Sequence, residues 1–177
     1  LAQSLLAVGL FMPFVHIVPS AVDTGVAREA AVFALGMVGL GSTLGRFLMG
    51  ALADRLGRLR TMVTLYVTLA ASFALWWQAS SAFAFVAFAL VFGTCYGGYV
   101  AMIPALLADY FGGGRLGSVI GLQYTAAGIS GLVGPVLAGW FFDHGFGYAP
   151  AFAIAGAAAL AGAGLLALLP APGLVAL

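Results

Sequence analysis

Charge is so scarce in this chain, and so unevenly placed, that its positions alone restrict the fold. Six arginines, five acidic residues and no lysine stand among 177 residues, 6% of the total, where a soluble domain carries about 25%. A water-facing surface cannot be assembled from such a sequence. The charges instead delimit apolar stretches at roughly 2 to 21, 30 to 53, 61 to 78, 81 to 107, 117 to 141 and 147 to 169, each close to the ~20 residues that a helix needs to cross a bilayer. Prolines and glycines interrupt them, which membrane helices tolerate because neighbours re-satisfy the backbone. A strand barrel would need polar and apolar residues to alternate, and runs such as Ala151 to Leu169 do not alternate. The reading is an all-α integral membrane protein with six transmembrane helices.

Arginines also orient it, because cytoplasmic loops carry the Lys/Arg excess. Arg55, Arg58 and Arg60 follow the second span and Arg115 the fourth, while only Arg28, beside Glu29, stands on the other side. Both chain ends are expected in the cytoplasm, with the protein in the plasma (inner) membrane. The basic clusters of a nucleic-acid binder are missing, so nucleic acid is not an expected partner. Cys95, the single cysteine, sits in an apolar run and reads as a small buried thiol. No cofactor and no metal site are expected. The chain opens at Leu1 without a Met or a basic leader, which reads as a fragment.

Glycines cluster at 36, 39, 41 and 45 in the second span, 93 and 97 in the fourth, and 128, 131 and 134 in the fifth. Small residues at such spacing let helix backbones approach where lipid offers no hydrophobic drive. Tight packing and the smooth contacts of a moving carrier are both open readings.

Arg46 lies deep in the second span between Gly45 and Phe47, where a charge costs about 2.5 to 3.5 kcal/mol on insertion scales. Asp23, Glu29, Asp54, Asp109 and Asp143 all fall at span ends, so no internal counter-ion is visible. Arg46 either snorkels, pairs with an acid elsewhere, or faces a watery cavity and binds an anion, for which a guanidinium fork suits a carboxylate. Ser42, Thr43 and Gly50 share its helix face. In the fifth span Gln123, Ala127, Ser130 and Gly134 form a polar or small stripe with Tyr124 beside it, a second candidate cavity wall. The sixth span has almost nothing polar and reads as lipid-facing. His16, between Pro13 and Pro19, either carries a proton or substrate or is a buried imidazole satisfied by a carbonyl that a proline frees. Trp76, Trp77 and Gln78 read as interfacial anchors. Gly128-Ile129-Ser130-Gly131 matches the GxSG of rhomboid proteases, which raises an enzyme reading. A serine nucleophile needs a base within hydrogen-bond reach. His144 is about 21 Å along the same helix, so no catalytic residue is expected.

The run Gly50-Ala51-Leu52-Ala53-Asp54-Arg55-Leu56-Gly57-Arg58 resembles the G-x-x-x-D-R-x-G-R signature of the major facilitator superfamily at every fixed position. Gly57 permits a tight turn, and Asp54 can accept bonds from a neighbouring helix N-terminus or an arginine. The resemblance implies that Gly50, Asp54, Arg55, Gly57 and Arg58 latch the outward-facing state. Phe14 to Gly25, Gly45-Arg46, Pro104 to Gly112, and Gly134-Pro135 to Tyr148 further resemble the seventh, eighth, tenth and last two helices of the oxalate:formate antiporter and monocarboxylate transporter branch. It implies that residues 1–177 are the C-terminal six-helix half, that the N-terminal half is missing, and that Arg46 binds the carboxylate of a small organic anion, with Ser42, His16, Gln123 and Tyr124 as the further substrate-contact candidates that their own positions in the spans suggest. Two departures narrow this. Tyr124-Thr125-Ala126 is followed by Ala127 where oxalate-type members carry a lysine, which fits a monocarboxylate better. Ser42 stands where proton-coupled carriers have an Asp, so a coupled proton and an exchanged anion both stay open. The expectation is a secondary transporter working by alternating access, against an unrelated substrate or a non-transporting membrane scaffold.

Overall fold

A computed structural model describes residues 1–170, and helices account for nearly all of them. The first span is two helices, α1 (Ala2–Leu10) and α2 (Met12–Asp23). Pro13 has no N–H to give the Gly9 carbonyl, and the helix breaks at Phe11. The other spans are α3 (Arg28–Leu56), α4 (Arg58–Trp77), α5 (Ala82–Phe111), α6 (Leu116–Asp143) and α7 (Ala149–Ala167), with a single 3₁₀ turn at Gly113–Arg115. All six are long and apolar enough to cross a membrane. Pro19, Pro104 and Pro135 sit inside helices that continue past them.

The connections are short, and glycine sets the geometry of all but the one from α4 to α5. Between α3 and α4 there is only Gly57, at φ +85 and ψ 148, a conformation open in practice to glycine alone. The turns at Gly25, Gly112, Gly145 and Gly147 also have positive φ. We call the end bearing Arg55, Arg58, Arg60 and Arg115 the basic end.

The break at Phe11 lets the first span serve two neighbourhoods. Its α1 half wedges between α6 and α7 at the basic end, while its α2 half leans on α3. The most extensive contact is α3 on α5, followed by α4 on α7 and α4 on α5. An aromatic stack fills the half of the core away from the basic end. Trp76 lies against Phe88 at 4.8 Å and Phe152 at 4.3 Å between ring centroids, and its indole Nε1 donates to Ser20 Oγ at 3.0 Å. The anchor expectation therefore separates within one dipeptide. Trp77 is 61% exposed and fits it, whereas Trp76 is 2% exposed and belongs to the core. The sixth span departs from expectation as well. It is not all lipid-facing, since α7 buries Ala151, Phe152, Ala155, Ala159, Gly162, Ala163 and Leu166 and exposes Ile154, Leu160 and Leu165 on the opposite side.

Candidate functional site

The spans are not equally enclosed. The apolar windows of α3 and α6 are 28% and 22% buried, against 56% for α5. A bundle that leaves two spans so open has its next contacts, with lipid, water or more protein, along them.

On α3 the residues sort into three faces when placed at about 100° per residue. Ala31, Ala34, Val38, Gly41 and Gly45 are buried against the rest of the bundle. Phe33, Leu40, Leu44, Phe47 and Leu48 form an exposed apolar face suited to lipid. Gly36, Gly39, Thr43, Arg46 and Gly50 form a third stripe, also exposed, and none of the described residues comes within 4 Å of where a Cβ on any of its glycines would be. Arg46 is thus on a smooth, open strip and not among leucines.

The buried face is a seam of backbone on backbone. A Cβ at Gly41 would come within 2.7 Å of the Leu90 carbonyl oxygen, and one at Gly45, Gly93 or Gly97 would run into the carbonyls of Thr94, Val38 and Ser42 respectively. Tight packing is therefore the role of these four, but not of Gly36, Gly39 or Gly128, which meet nothing.

Arg46 makes no salt bridge among the described residues, in which Arg58–Asp109 is the one pair. Ser42 borders its stripe half-buried, and the Thr43 hydroxyl donates to the Gly39 carbonyl at 3.1 Å, which leaves its lone pairs outward. On α6 the same division recurs. Ala127, Gly131, Gly134 and Ala138 are buried, with Gly131 against Phe11 and Gly134 against the Val8 carbonyl. The stripe expected to wall a cavity is in large part a packing seam on α1. The open small-residue strip is its neighbour, Gly117, Gly121, Tyr124 and Gly128.

Two expected site residues turn into the bundle. Gln123 donates from Nε2 to Gln3 Oε1 on α1 at 2.5 Å. His16 is 9% exposed and bonds the Pro135 carbonyl through Nε2 at 2.9 Å. A carbonyl can only accept, so the proton is on Nε2. That carbonyl is the proline's own, not one that a proline deprives of its donor. Beside it, burial and the Asp23 and Asp143 carboxylates push the Tyr148 phenol above its ordinary pKa, so it stays a neutral donor.

At the basic end Arg58 Nη1 donates to Asp109 Oδ1 at 2.5 Å, tying the start of α4 to the end of α5. Sequence reasoning placed Arg58 in the latch but did not find this partner, since 51 positions separate the two. Asp54 is exposed and, among the described residues, has no salt bridge.

A family model described as Major Facilitator Superfamily matches residues 1–175. The chain belongs to that superfamily. Among superfamily relatives, Monocarboxylate transporter 12-B of Danio rerio is 32% identical over 85% of this chain and 32% of its own length. Monocarboxylate transporter 13 of Rattus norvegicus is 31% identical over 96% of this chain and 40% of its own, and MFS transporter asaE of Aspergillus flavus 31% identical over 78% and 32%. The chain thus spans about a third to two fifths of these curated relatives. Six spans and this membership make it an integral membrane protein of the superfamily's all-helical fold.

Proposed function

We propose that the chain is the C-terminal half of a secondary transporter that moves a small monocarboxylate by alternating access, with Arg46 as the carboxylate-binding residue. The observation that carries the reading is the open strip of α3, where a guanidinium without an ionic partner among the described residues stands between Gly39 and Gly50 on a face with no bulky side chain. A charge that deep in a span needs a partner. A carboxylate held by the guanidinium fork supplies it. Thr43 and Ser42 add hydroxyls on that side, and the Tyr124 strip of α6 is the second wall. The names of the monocarboxylate transporter relatives favour this substrate class over others. His16 and Gln123 fit substrate contact less well than they fit the packing bonds described above.

In this reading the open strips of α3 and α6 border a second six-helix half, and the substrate path runs between the two halves. Gly50, Asp54, Arg55, Gly57 and Arg58 form the latch, with Asp54 meeting its partner in only one of the carrier's states. The basic end is cytoplasmic by the distribution of arginines. Cysteines at Leu56 and Phe146, in a Cys95→Ala background, should react with an impermeant reagent from opposite sides of the membrane. Labelling from one side would overturn the orientation and the span count together.

The test of function is carboxylate binding to the purified full-length protein. Arg46→Lys keeps the charge and loses the fork, and Arg46→Gln loses both, so affinity should fall from Arg to Lys to Gln. Charge-assisted bonds are worth about 1.5 to 3 kcal/mol each, so the Gln variant should bind at least about tenfold more weakly. A folded Gln variant that binds lactate and formate as the parent does makes the arginine structural and removes the support for this substrate class.

A further inference from the structure

Near its start α4 carries a second charge that the bundle does not answer. Arg60 is exposed and makes no salt bridge among the described residues, whereas Arg58, two positions before it, is paired with Asp109. Arg60, Thr64, Val67 and Ala71 recur three and four residues apart and form the exposed ridge of α4. The Thr64 hydroxyl turns back to donate to the Arg60 carbonyl at 3.0 Å, so below the guanidinium the ridge is low and offers no free donor.

A groove runs along each flank of this ridge. On one side about 330 Å³ opens between α3, α4 and α5, with Met49, Leu52 and Leu90 among its walls. On the other about 470 Å³ opens between α4 and α7, walled by Leu59, Val63 and Ala167, and Arg60 itself reaches it. Thr64 borders both. Each groove falls within the size range of small-ligand pockets, and among the described residues no acidic side chain lines either. Neither includes a residue of the open strips of α3 and α6, and Leu48, one turn from Leu52, is 55% exposed. The ridge and its grooves therefore face hydrocarbon.

Charge and shape together select the occupant. The basic end sets Arg55, Arg58, Arg60 and Arg115 against only Asp54 and Asp109, and an excess of arginine at headgroup depth attracts anionic lipid. A free anion would answer Arg60 and leave both grooves unfilled. A fatty acid would fill one. What matches is one anionic head from which two acyl chains part around a ridge of small side chains.

We propose that α4 bears a site for one anionic diacyl phospholipid, with its phosphate on Arg60 and an acyl chain in each groove. The site needs only that Arg60 lie at headgroup depth, so it holds whichever way the chain is oriented and whatever Arg46 binds.

Photolabelling of the full-length protein in phosphatidylcholine nanodiscs, with a phosphatidylglycerol that carries a diazirine midway along each chain, tests this. Peptide mapping should place adducts on the segments holding Met49 to Leu52, Thr64 to Thr68 and Ala167. Unlabelled phosphatidylglycerol should suppress them, while oleate and inorganic phosphate at the same concentration should not. Arg60→Gln should lower labelling about fivefold, the factor that one arginine near a membrane surface commands. Arg115→Gln removes the same charge from the basic end but borders neither groove, and should leave labelling nearly unchanged. Thr64→Trp, which blocks both grooves from an exposed position, should abolish it. Monodisperse elution checks folding, and if the tryptophan variant fails that check the two arginine variants decide. Adducts confined to other exposed side chains such as Leu122 and Ile129, equal loss in the two arginine variants, undiminished labelling in folded Arg60→Gln, or equal suppression by oleate or phosphate would each overturn the site.

Discussion

Two faces of α3, about 140° apart on one helix, use the same residue type for opposite ends. Gly41 and Gly45 bring α3 so close to α5 that backbone touches backbone, while Gly36, Gly39 and Gly50 leave a strip against which none of the described residues packs. In lipid the two uses answer different needs. Helices with no hydrophobic drive between them gain from dispersion and close approach, so the seam is where the bundle holds together. The open strip adds nothing to that cohesion, and its smoothness has to serve something outside the bundle.

Substitution should separate the two faces cleanly. Gly97→Val or Gly45→Val forces a side chain into a carbonyl that cannot move aside, and we expect a loss of about 3 kcal/mol or more, the upper range for overpacking. It should be read as absence of a monodisperse peak on size exclusion. Survival of the fold would mean that the seam is looser than drawn. Next in size, Asp54→Asn should slow turnover in proteoliposomes about tenfold while leaving substrate affinity nearly intact, since about 1.4 kcal/mol of bias shifts a two-state equilibrium by that factor. Unchanged turnover would reduce Asp54 to a topology or folding residue. On the open strip, Gly39→Ala should raise thermal stability slightly, by about 0.5 to 1 kcal/mol, because an unopposed alanine relieves glycine's helix penalty. A clear loss of stability there would erase the distinction between the faces. Smallest of all, Asp109→Asn breaks a pair whose side chains are 47% and 30% exposed, and such pairs are worth at most about 1 kcal/mol. Its melting temperature should hardly move.

Charge spacing made the six spans legible, because the penalty for burying a charge in lipid leaves few other solutions. A tight turn at Gly57 was legible too, but its length was not, since the apolar stretches stop at 53 and resume at 61 while the helices run on through the charges to Leu56 and from Arg58. What the sequence hid is rotation. In a helix apolar on every side, core and lipid ask for the same side chains, so nothing in the pattern says which way Gly39 or Gly41 points. Trp76 and Trp77 show the cost, adjacent in sequence and opposite in fate. Gln123 and His16 stand out in the sequence as polar groups among apolar ones, but their partners inside the bundle do not. Their partners, Gln3 and the Pro135 carbonyl, lie 120 and 119 positions away, and only the folded chain brings them near.

The single residue between α3 and α4 sets a rule for anyone who wishes to alter the molecule. A tag, epitope or fluorescent domain spliced at Gly57 would have to replace a conformation near φ +85 that only glycine holds, and would slide α4 along α3 by whole turns. The reach from Gly112 to Arg115, three consecutive glycines followed by an exposed arginine, is the port on that side through which foreign sequence can enter without disturbing the helices it joins.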